Sequence, residues 1–340
     1  MNDAVRKGIL AGAIGLAGAV CATLLGLPAA ALIGSSIAVA IAATAGLAMA
    51  VPGRLRDVAF GMIGISLGAG VQADALSQLG SWSISLLLLA VSLLTTLLAG
   101  AAILRNWFGL DAETALLASA PGTMSNAIAI ALDGHGDVTA ITILQVIRLL
   151  VLVAVVPPLA TVMDAPSVGL VRSAAMEPLA LTVILLLTLG LSIPAARWRI
   201  PAASLLIGMI LSASAHVAGL ANGPAPSWAI FASFVVTGTV LGTRLTSISG
   251  RQLLAMGRAG AVLIGTTLAM SIAFACLTAF LTGLPLGQVW IAYAPGGVEA
   301  MAAIGLALGY DPAYVATHHF ARIVILVILV PILLSRSRRH

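Results

Sequence analysis

Three charged side chains of this sequence lie inside long apolar stretches, where their presence needs a chemical reason. They are Arg148, Glu299 and Arg322. A charge in the apolar core of a membrane costs at least about 2.5 kcal/mol unless a partner or a water-filled cavity receives it. The carboxylate therefore predicts a proton or ion site, with a structural ion pair to an arginine as the alternative. The arginines predict either binding of an anionic substrate or hydrogen bonding to free backbone carbonyls, and both interpretations stay open.

Two Ala-Pro-Gly sequences stand near these charges, at residues 120–123 and 294–297. Proline removes a helix hydrogen bond and glycine frees the backbone, so each sequence predicts a short unwound break in a helix. Unwound backbone at membrane depth is tolerated where protein buries it or where it lines an aqueous cavity. Transporters use such breaks to present helix ends to substrates and ions. A simple kink is the alternative, but the recurrence of the break favours a substrate or ion site.

The candidate substrate- and ion-binding residues share a place at a break or on the helix that follows it. They are Pro121, Gly122, Thr123, Ser125, Asn126, Gln145, Arg148, Pro295, Gly296, Gly297, Glu299, His319 and Arg322. The hydroxyl and amide groups after the first break can ligate a cation or hydrogen-bond a solute. His318 and His319 are suited to proton relay because histidine titrates near neutrality. Neighbouring residues of a helix point in different directions, so we expect only one of the two to reach the site.

The elements that must position these groups are membrane helices. Hydrophobic residues make up 61% of the chain and charged residues only 8%, whereas a soluble domain carries roughly 25% charged residues. Apolar runs recur twelve times, most of them near the roughly 20 residues that span a bilayer core. We therefore predict an all-α polytopic protein of a bacterial inner membrane. Cys21 and Cys276 lie inside apolar runs and are predicted to be small core residues, without a disulfide or a metal site.

The sequence also contains an internal duplication. Residues 120–159 align without gaps with residues 294–333, at a constant offset of 174 residues. The aligned pairs include Pro121 with Pro295 and Arg148 with Arg322, which are residue types that are scarce inside apolar runs. Glu299 occupies the position that matches Ser125, so the two copies are not chemically identical. We predict a first membrane repeat over residues 1–163 and a second over residues 177–340.

The distribution of basic residues predicts how the repeats face the membrane. The net charge is +5, and the basic residues lie in short loops, as expected for cytoplasmic loops and not for a nucleic-acid partner. If the runs at 112–133 and 287–309 do not change sides, each half has five crossings and the second half is inverted. The arginine-bearing loops and both termini then lie in the cytoplasm. The alternative keeps both runs as full broken spans and demotes another run in each half to a segment that does not cross, so 10 to 12 membrane segments remain open.

The duplicated Ala-Pro-Gly pattern, followed by a helix that carries arginine and proline, resembles the AbrB-type membrane protein family. The second copy, from Ala294 to Glu299, is the more typical, and the first departs from it at Thr123 and Ser125. The layout is similar to that of cation/proton antiporters and bile-acid-type symporters, which implies inverted repeats and transport by analogy. The family's older labels imply an ammonia monooxygenase or a regulator of gene expression. A monooxygenase requires metal ligands, of which the sequence offers no cluster, and direct regulation requires an aqueous DNA-binding module.

These observations predict a secondary transporter of a small anionic or zwitterionic solute, coupled to protons or sodium, which works by alternating access. The alternative is a membrane-embedded sensor or regulator that acts indirectly on gene expression, and an oxygenase is the third hypothesis. We predict no enzymatic activity, no catalytic residue and no cofactor. The expected partners are the lipid bilayer, the solute and the coupling ion, and a homodimer stays open.

Overall fold

The fold is an assembly of α-helices, seen in a computed structural model that describes residues 3–71, 80, 82–121, 124–163, 174–197, 202–246 and 248–337. Fourteen helices lie within these ranges. The first seven are α1 (Asp3–Leu24), α2 (Ala30–Thr44), α3 (Gly53–Ala69), α4 (Ser83–Phe108), α5 (Ala112–Ser119), α6 (Met124–Leu132) and α7 (Val138–Met163). The second seven are α8 (Pro178–Arg197), α9 (Ala203–Val217), α10 (Ser227–Thr243), α11 (Gly250–Thr282), α12 (Leu286–Tyr293), α13 (Val298–Ala307) and α14 (Pro312–Ser337). The prediction of an all-α fold is confirmed.

Six of the described helices are long and apolar enough to cross a membrane, namely α1, α4, α7, α8, α11 and α14. The shorter apolar helices are α2, α9, α10 and α13. One detail of the prediction was wrong, because Cys21 and Cys276 are exposed on the outer faces of α1 and α11. Their apolar runs have no polar face, so the sequence period could not indicate which side packs inward.

The two series of helices match each other in length and order. α2 and α9 have 15 residues each, α3 and α10 have 17, α5 and α12 have 8, and α7 and α14 have 26. The turns before α2 and α9 also match, since Ala29 and Ala202 both have a φ of 50°. A left-handed conformation costs a residue other than glycine roughly 1–2 kcal/mol, so its recurrence at the same Pro-Ala-Ala sequence marks a shared turn.

Close packing of small residues joins α3 to α9. A side-chain carbon at Gly64 would overlap the carbonyl of Leu205, and one at Gly68 would overlap the carbonyl of Met209. Glycine is therefore required at both positions for the helix backbones to approach, as is common between membrane helices. Residues later in α3 contact residues later in α9, so the two helices run in the same direction.

The same arrangement joins α10 to α2. A side-chain carbon at Gly238 would overlap the carbonyl of Leu32, and one at Gly242 would lie against Ser36. Residues later in α10 again contact residues later in α2, so these two helices also run in the same direction. The third helix of each series therefore packs against the second helix of the other series.

Candidate substrate and ion site

The first Ala-Pro-Gly sequence lies at the turn of a helical hairpin formed by α5 and α6, here called hairpin 1. The start of α5 and the chain that leaves α6 are side by side. His135 Nδ1 lies 3.1 Å from Glu113 Oε2, and the backbone N–H of Asp137 donates to Thr114 Oγ1 at 2.7 Å. Asp111 caps α5, because its carboxylate accepts from the N–H of Thr114 at 2.9 Å. The chain enters and leaves hairpin 1 at the same end.

The second Ala-Pro-Gly sequence lies at the turn of hairpin 2, formed by α12 and α13. Its base repeats the contact of hairpin 1, because the N–H of Asp311 donates to Gln288 Oε1 at 3.3 Å. Gln288 and Asp311 are the residues that match Thr114 and Asp137 at the offset of 174. Gly287 lies beside the hydroxyl of Tyr310 at the same base, where a larger side chain would collide with the ring. The chain therefore enters and leaves hairpin 2 at the same end, as it does in hairpin 1.

The turns of the two hairpins are here called tip 1 (residues 120–123) and tip 2 (residues 294–297). At tip 1, Ala120 is extended and Pro121 is buried, while Gly122 and Thr123 lie outside the described residues. The side chains of Ser125 and Asn126 on α6 also lie outside the described part of the chain. At tip 2, all four residues are buried, and Gly297 is the N-cap of α13.

Tip 1 is held by the side chains of α7. Arg148, which is 1% exposed, donates to the carbonyl of Ala120 at 3.0 Å and to those of Ala118 and Ser119 at 3.4 Å. Gln145 Nε2 donates to the carbonyl of Leu117 at 2.8 Å. These carbonyls belong to the last turn of α5, the negative end of the helix dipole, which favours a positive charge.

Tip 2 is held in the same way by α14. Arg322 is fully buried and donates to the carbonyls of Ala294 at 2.5 Å and Gly296 at 2.7 Å. The guanidinium groups of Arg148 and Arg322 are within electrostatic range of each other, and α14, which carries Arg322, also packs against α5 of hairpin 1. Of the two interpretations of the arginines, carbonyl bonding accounts for their terminal nitrogens. The Nε–H group of each arginine is buried without a partner.

Glu299 lies in the first turn of α13, beside tip 2. A side-chain carbon at Gly297 would lie 3.1 Å from its Oε2 atom, so the carboxylate turns back towards the tip. It interacts electrostatically with Arg322. However, the ion pairs within 4.0 Å among the described residues join other side chains, namely Lys7 to Asp3, Arg56 to Asp57 and His135 to Glu113. Glu299 is therefore a half-buried carboxylate at a helix N-terminus, where negative charge is favoured.

The adjacent histidines of α14 have different surroundings. His318 is fully bonded, because its Nδ1 atom lies 2.8 Å from the carbonyl of Tyr314 and its Nε2 atom lies 2.7 Å from Ser85 Oγ. His319 is completely buried, and neither of its ring nitrogens has a hydrogen-bond partner. It lies within electrostatic range of Arg322. Only His319 is thus available to a group bound at the tips.

Sequence reasoning missed a buried polar network beside hairpin 2. The Tyr293 hydroxyl donates to the carbonyl of Ser85 at 2.5 Å and accepts from Thr278 Oγ1 at 2.9 Å. Ser85 Oγ also lies 2.5 Å from the Tyr314 hydroxyl, and Trp82 packs edge-on against the Tyr314 ring. A signal was present, because the chain has only three tyrosines and all of them lie between residues 293 and 314.

The described residues hold no group of three histidine, cysteine or acidic side chains that could bind a metal ion. Three helical turns before the buried arginines stand Asp137 and Asp311. Their carboxylates do not bond to the arginines but accept hydrogen bonds from backbone N–H groups. Asp137 accepts from the N–H groups of Thr139 and Ala140, and Asp311 does the same at the start of α14. Both carboxylates act as helix caps.

Comparison with known proteins identifies the family of this chain. The sequence profile of the family described as "Transition state regulatory protein AbrB" matches residues 31–337, which include both hairpins. YhjN of Bacillus subtilis (strain 168), described as an uncharacterized protein, is 26% identical over 290 residues, which cover 79% of this chain and 75% of YhjN. Since the profile matches nearly the whole chain, the protein belongs to the AbrB family.

Proposed function

We propose that this protein is a secondary transporter of a small anionic solute, coupled to protons or sodium, which works by alternating access around tip 1 and tip 2. The observation that carries the proposal is the convergence of two helical hairpins on two buried arginines, with the carboxylate of Glu299 at one tip. Buried ionisable groups inside a membrane segment mark substrate or ion pathways by default. Unwound backbone at such a place is typical of transporters.

The proposed membrane arrangement has ten crossings and two re-entrant hairpins, with the second repeat inverted. Short connections, residues 45–52 and 218–226, join α2 to α3 and α9 to α10, so helices joined in this way cross in opposite directions. The parallel packing of α3 with α9 then makes α9 run opposite to α2, its counterpart. Contacts at the base of each hairpin further support re-entry, because each base returns the chain to the side it came from.

Within this proposal the arginines position the tips and Glu299 carries the coupling proton. Arg148 and Arg322 compensate the negative ends of α5 and α12, which keeps two unwound turns stable inside the protein. Glu299 can change its charge without breaking a direct ion pair, because its nearest arginine is engaged with carbonyls. Movement of a hairpin would expose the tips to one side of the membrane or the other.

Transport assays test the proposed function. Small anions are first screened on the purified protein by thermal shift, and a stabilising anion is then followed into proteoliposomes at two external pH values. We expect saturable uptake that responds to a pH gradient, and Glu299→Gln abolishes that response because glutamine carries no titratable proton. Uptake by Glu299→Gln with an unchanged pH dependence would refute the proton role.

The family description favours a second candidate function, a membrane-embedded regulator that acts indirectly on gene expression. Such a protein would bind a solute at the same tips and pass the signal to a partner. Binding of an anion together with a stable protein partner on affinity purification, and no flux in proteoliposomes, would support this candidate over transport.

A further inference from the structure

Buried hydroxyl groups of this protein commonly donate to the backbone of their own helix, which satisfies them inside a membrane. Thr239 is an example, because its hydroxyl donates to the carbonyl of Val235 at 2.7 Å. Ser66 and Thr237 differ from it. They are 4% and 0% exposed, and their hydroxyls have no partner. A polar group buried in this way is costly, so each such group in a native structure needs an explanation.

The unpartnered polar atoms of the described residues lie on four helices that have one common neighbour, the half-helix α13 that carries Glu299. These atoms are Ser66 Oγ, Thr237 Oγ1, the Nε atoms of Arg148 and Arg322, and both ring nitrogens of His319. They lie on α3, α10, α7 and α14. All four helices pack against α13. The helices that carry the unsatisfied groups therefore meet at one short helix.

The two hydroxyls point away from the seams between the repeats. Gly64 and Gly68 face α9, and Ser66 stands two positions from each, which is roughly 200° around the helix. Gly238 faces α2, and its neighbour Thr237 is turned roughly 100° from it. Both residues therefore lie off the glycine-packed faces of α3 and α10, which are two of the helices that contact α13.

The charges of this cluster determine which ligand it can hold. Arg148 and Arg322 contribute two positive charges, and ionised Glu299 contributes one negative charge, which leaves a net charge of +1. The carboxylates of Asp137 and Asp311 are engaged as helix caps. The two Nε–H groups can only donate, and each hydroxyl and the ring of His319 can donate as well as accept, so an anion would find unused donors here. A cation would add to the uncompensated charge, whereas a monovalent anion would balance it.

We propose that Ser66 and Thr237 complete the binding site and that its substrate is a small monocarboxylate. This inference rests on the proposed transport function and narrows its substrate class. The carboxylate oxygens accept hydrogen bonds from the two hydroxyls and from the Nε–H groups of Arg148 and Arg322. Helices α7 and α14 contribute the positive charges, and α3 and α10 contribute the hydroxyls, so the anion bridges two parts of the helix assembly. Release then requires these two parts to separate.

Calorimetric titration of the purified full-length protein tests the substrate class. The probes are four monocarboxylates (acetate, lactate, pyruvate and benzoate), with malate as a dianion and glycine as a zwitterion. We expect at least one monocarboxylate to bind, and malate and glycine to bind at least roughly 10-fold more weakly, because each leaves a charge uncompensated. Tighter binding of malate or glycine, or no heat from any of the four monocarboxylates, would overturn the proposal.

Matched variants test the hydroxyls. Ser66→Ala and Thr237→Val each lower the affinity for the bound monocarboxylate by roughly 10-fold or more, since a hydrogen bond to a charged group is lost. Thr237→Ser keeps the hydroxyl and retains the affinity. The controls Ser35→Ala and Thr239→Val remove buried hydroxyls that donate to their own helices, and they leave the affinity within about 2-fold.

Equal losses in the controls and in the site variants would overturn the role of the hydroxyls. Failure of the proposed binding site can be distinguished from failure of the proposed transport function. Hydroxyl-dependent binding of a monocarboxylate without flux would retain this site and remove transport. Flux of another class of solute that is unaffected by Ser66→Ala and Thr237→Val would retain transport and remove this site.

Discussion

The two hairpins are built from helices of nearly the same length but have very different surroundings. Hairpin 2 lies in the largest apolar core of the protein, in which Trp290 and Met301 are fully buried. Its last residue before the tip, Tyr293, is bonded to Ser85 on α4 and Thr278 on α11. Side-chain hydrogen bonds therefore tie hairpin 2 to two long helices.

The matching positions of hairpin 1 do not form these side-chain hydrogen bonds to other helices. Ser119 stands where hairpin 2 has Tyr293, and its hydroxyl donates to the carbonyl of Ala115 within the same helix. Leu144 and Ala259 match His318 and Ser85, and both belong to an apolar cluster around hairpin 1. The two hairpins thus share one layout, but Tyr293 of hairpin 2 bonds to two other helices, whereas Ser119 of hairpin 1 bonds to its own helix. We infer that hairpin 1 moves more readily.

Loss of either buried arginine should have the largest effect on stability. Arg322→Met removes the bonds from the guanidinium to the carbonyls of Ala294 and Gly296, although the N–H of Gly296 still donates to the carbonyl of Ala294, and we expect the free energy of unfolding to fall by about 3 kcal/mol. Arg148→Met should cost less, because the bonds of Arg148 are longer and Gln145 still holds α5. Thermal unfolding in detergent measures both, with the exposed Arg56→Met as the control. Equal effects of Arg322→Met and Arg56→Met would contradict the role of the buried guanidinium.

A smaller effect is expected from Tyr293→Phe, which keeps the ring and removes only the hydroxyl. Two hydrogen bonds to other helices are lost, so we expect a destabilisation of about 1–2 kcal/mol. Hydrogen exchange should become faster in α12, while Ser119→Ala should leave exchange in α5 nearly unchanged because that hydroxyl bonds only its own helix. Faster exchange in both hairpins, or in neither, would remove the proposed difference in mobility.

The smallest effect concerns the base of hairpin 1. Burial raises the pKa of Asp111, but side-chain and backbone hydrogen bonds from Thr114 and Glu113 outweigh it, and the pKa is lowered from 3.8. This stabilisation is present above pH 3.8 and is lost as the pH falls through the lowered pKa. Asp111→Ala should cost about 1 kcal/mol at neutral pH, as for other N-caps, and progressively less in acid. The matching N-cap residue of hairpin 2 is Pro285, which has no side-chain cap. We therefore expect no such pH dependence of stability from the base of hairpin 2.

Re-entry of hairpin 1 can be tested independently of stability. In a background with Cys21→Ala and Cys276→Ala, single cysteines are placed at Leu110 and Asp133, on either side of the hairpin. A membrane-impermeant maleimide should label both from the same side of the membrane, because the base contacts bring these segments together. Labelling from opposite sides would establish a full crossing instead.

The sequence revealed the helix breaks and their arginines because proline, glycine and buried charge are rare and have local consequences. Other features depend on contacts that no local pattern encodes. Tyr293 meets Ser85 across 208 residues of chain, and Ser66 and Thr237 are ordinary residue types in membrane helices. Their importance emerges only from missing partners in a packed structure.

Uptake of a radiolabelled monocarboxylate into proteoliposomes with an imposed pH gradient tests the central claim most directly. We expect saturable uptake by the wild-type protein, which is absent from protein-free liposomes, and an altered pH dependence in Glu299→Gln. Tight binding of the same monocarboxylate to the purified protein without any uptake would contradict the transporter.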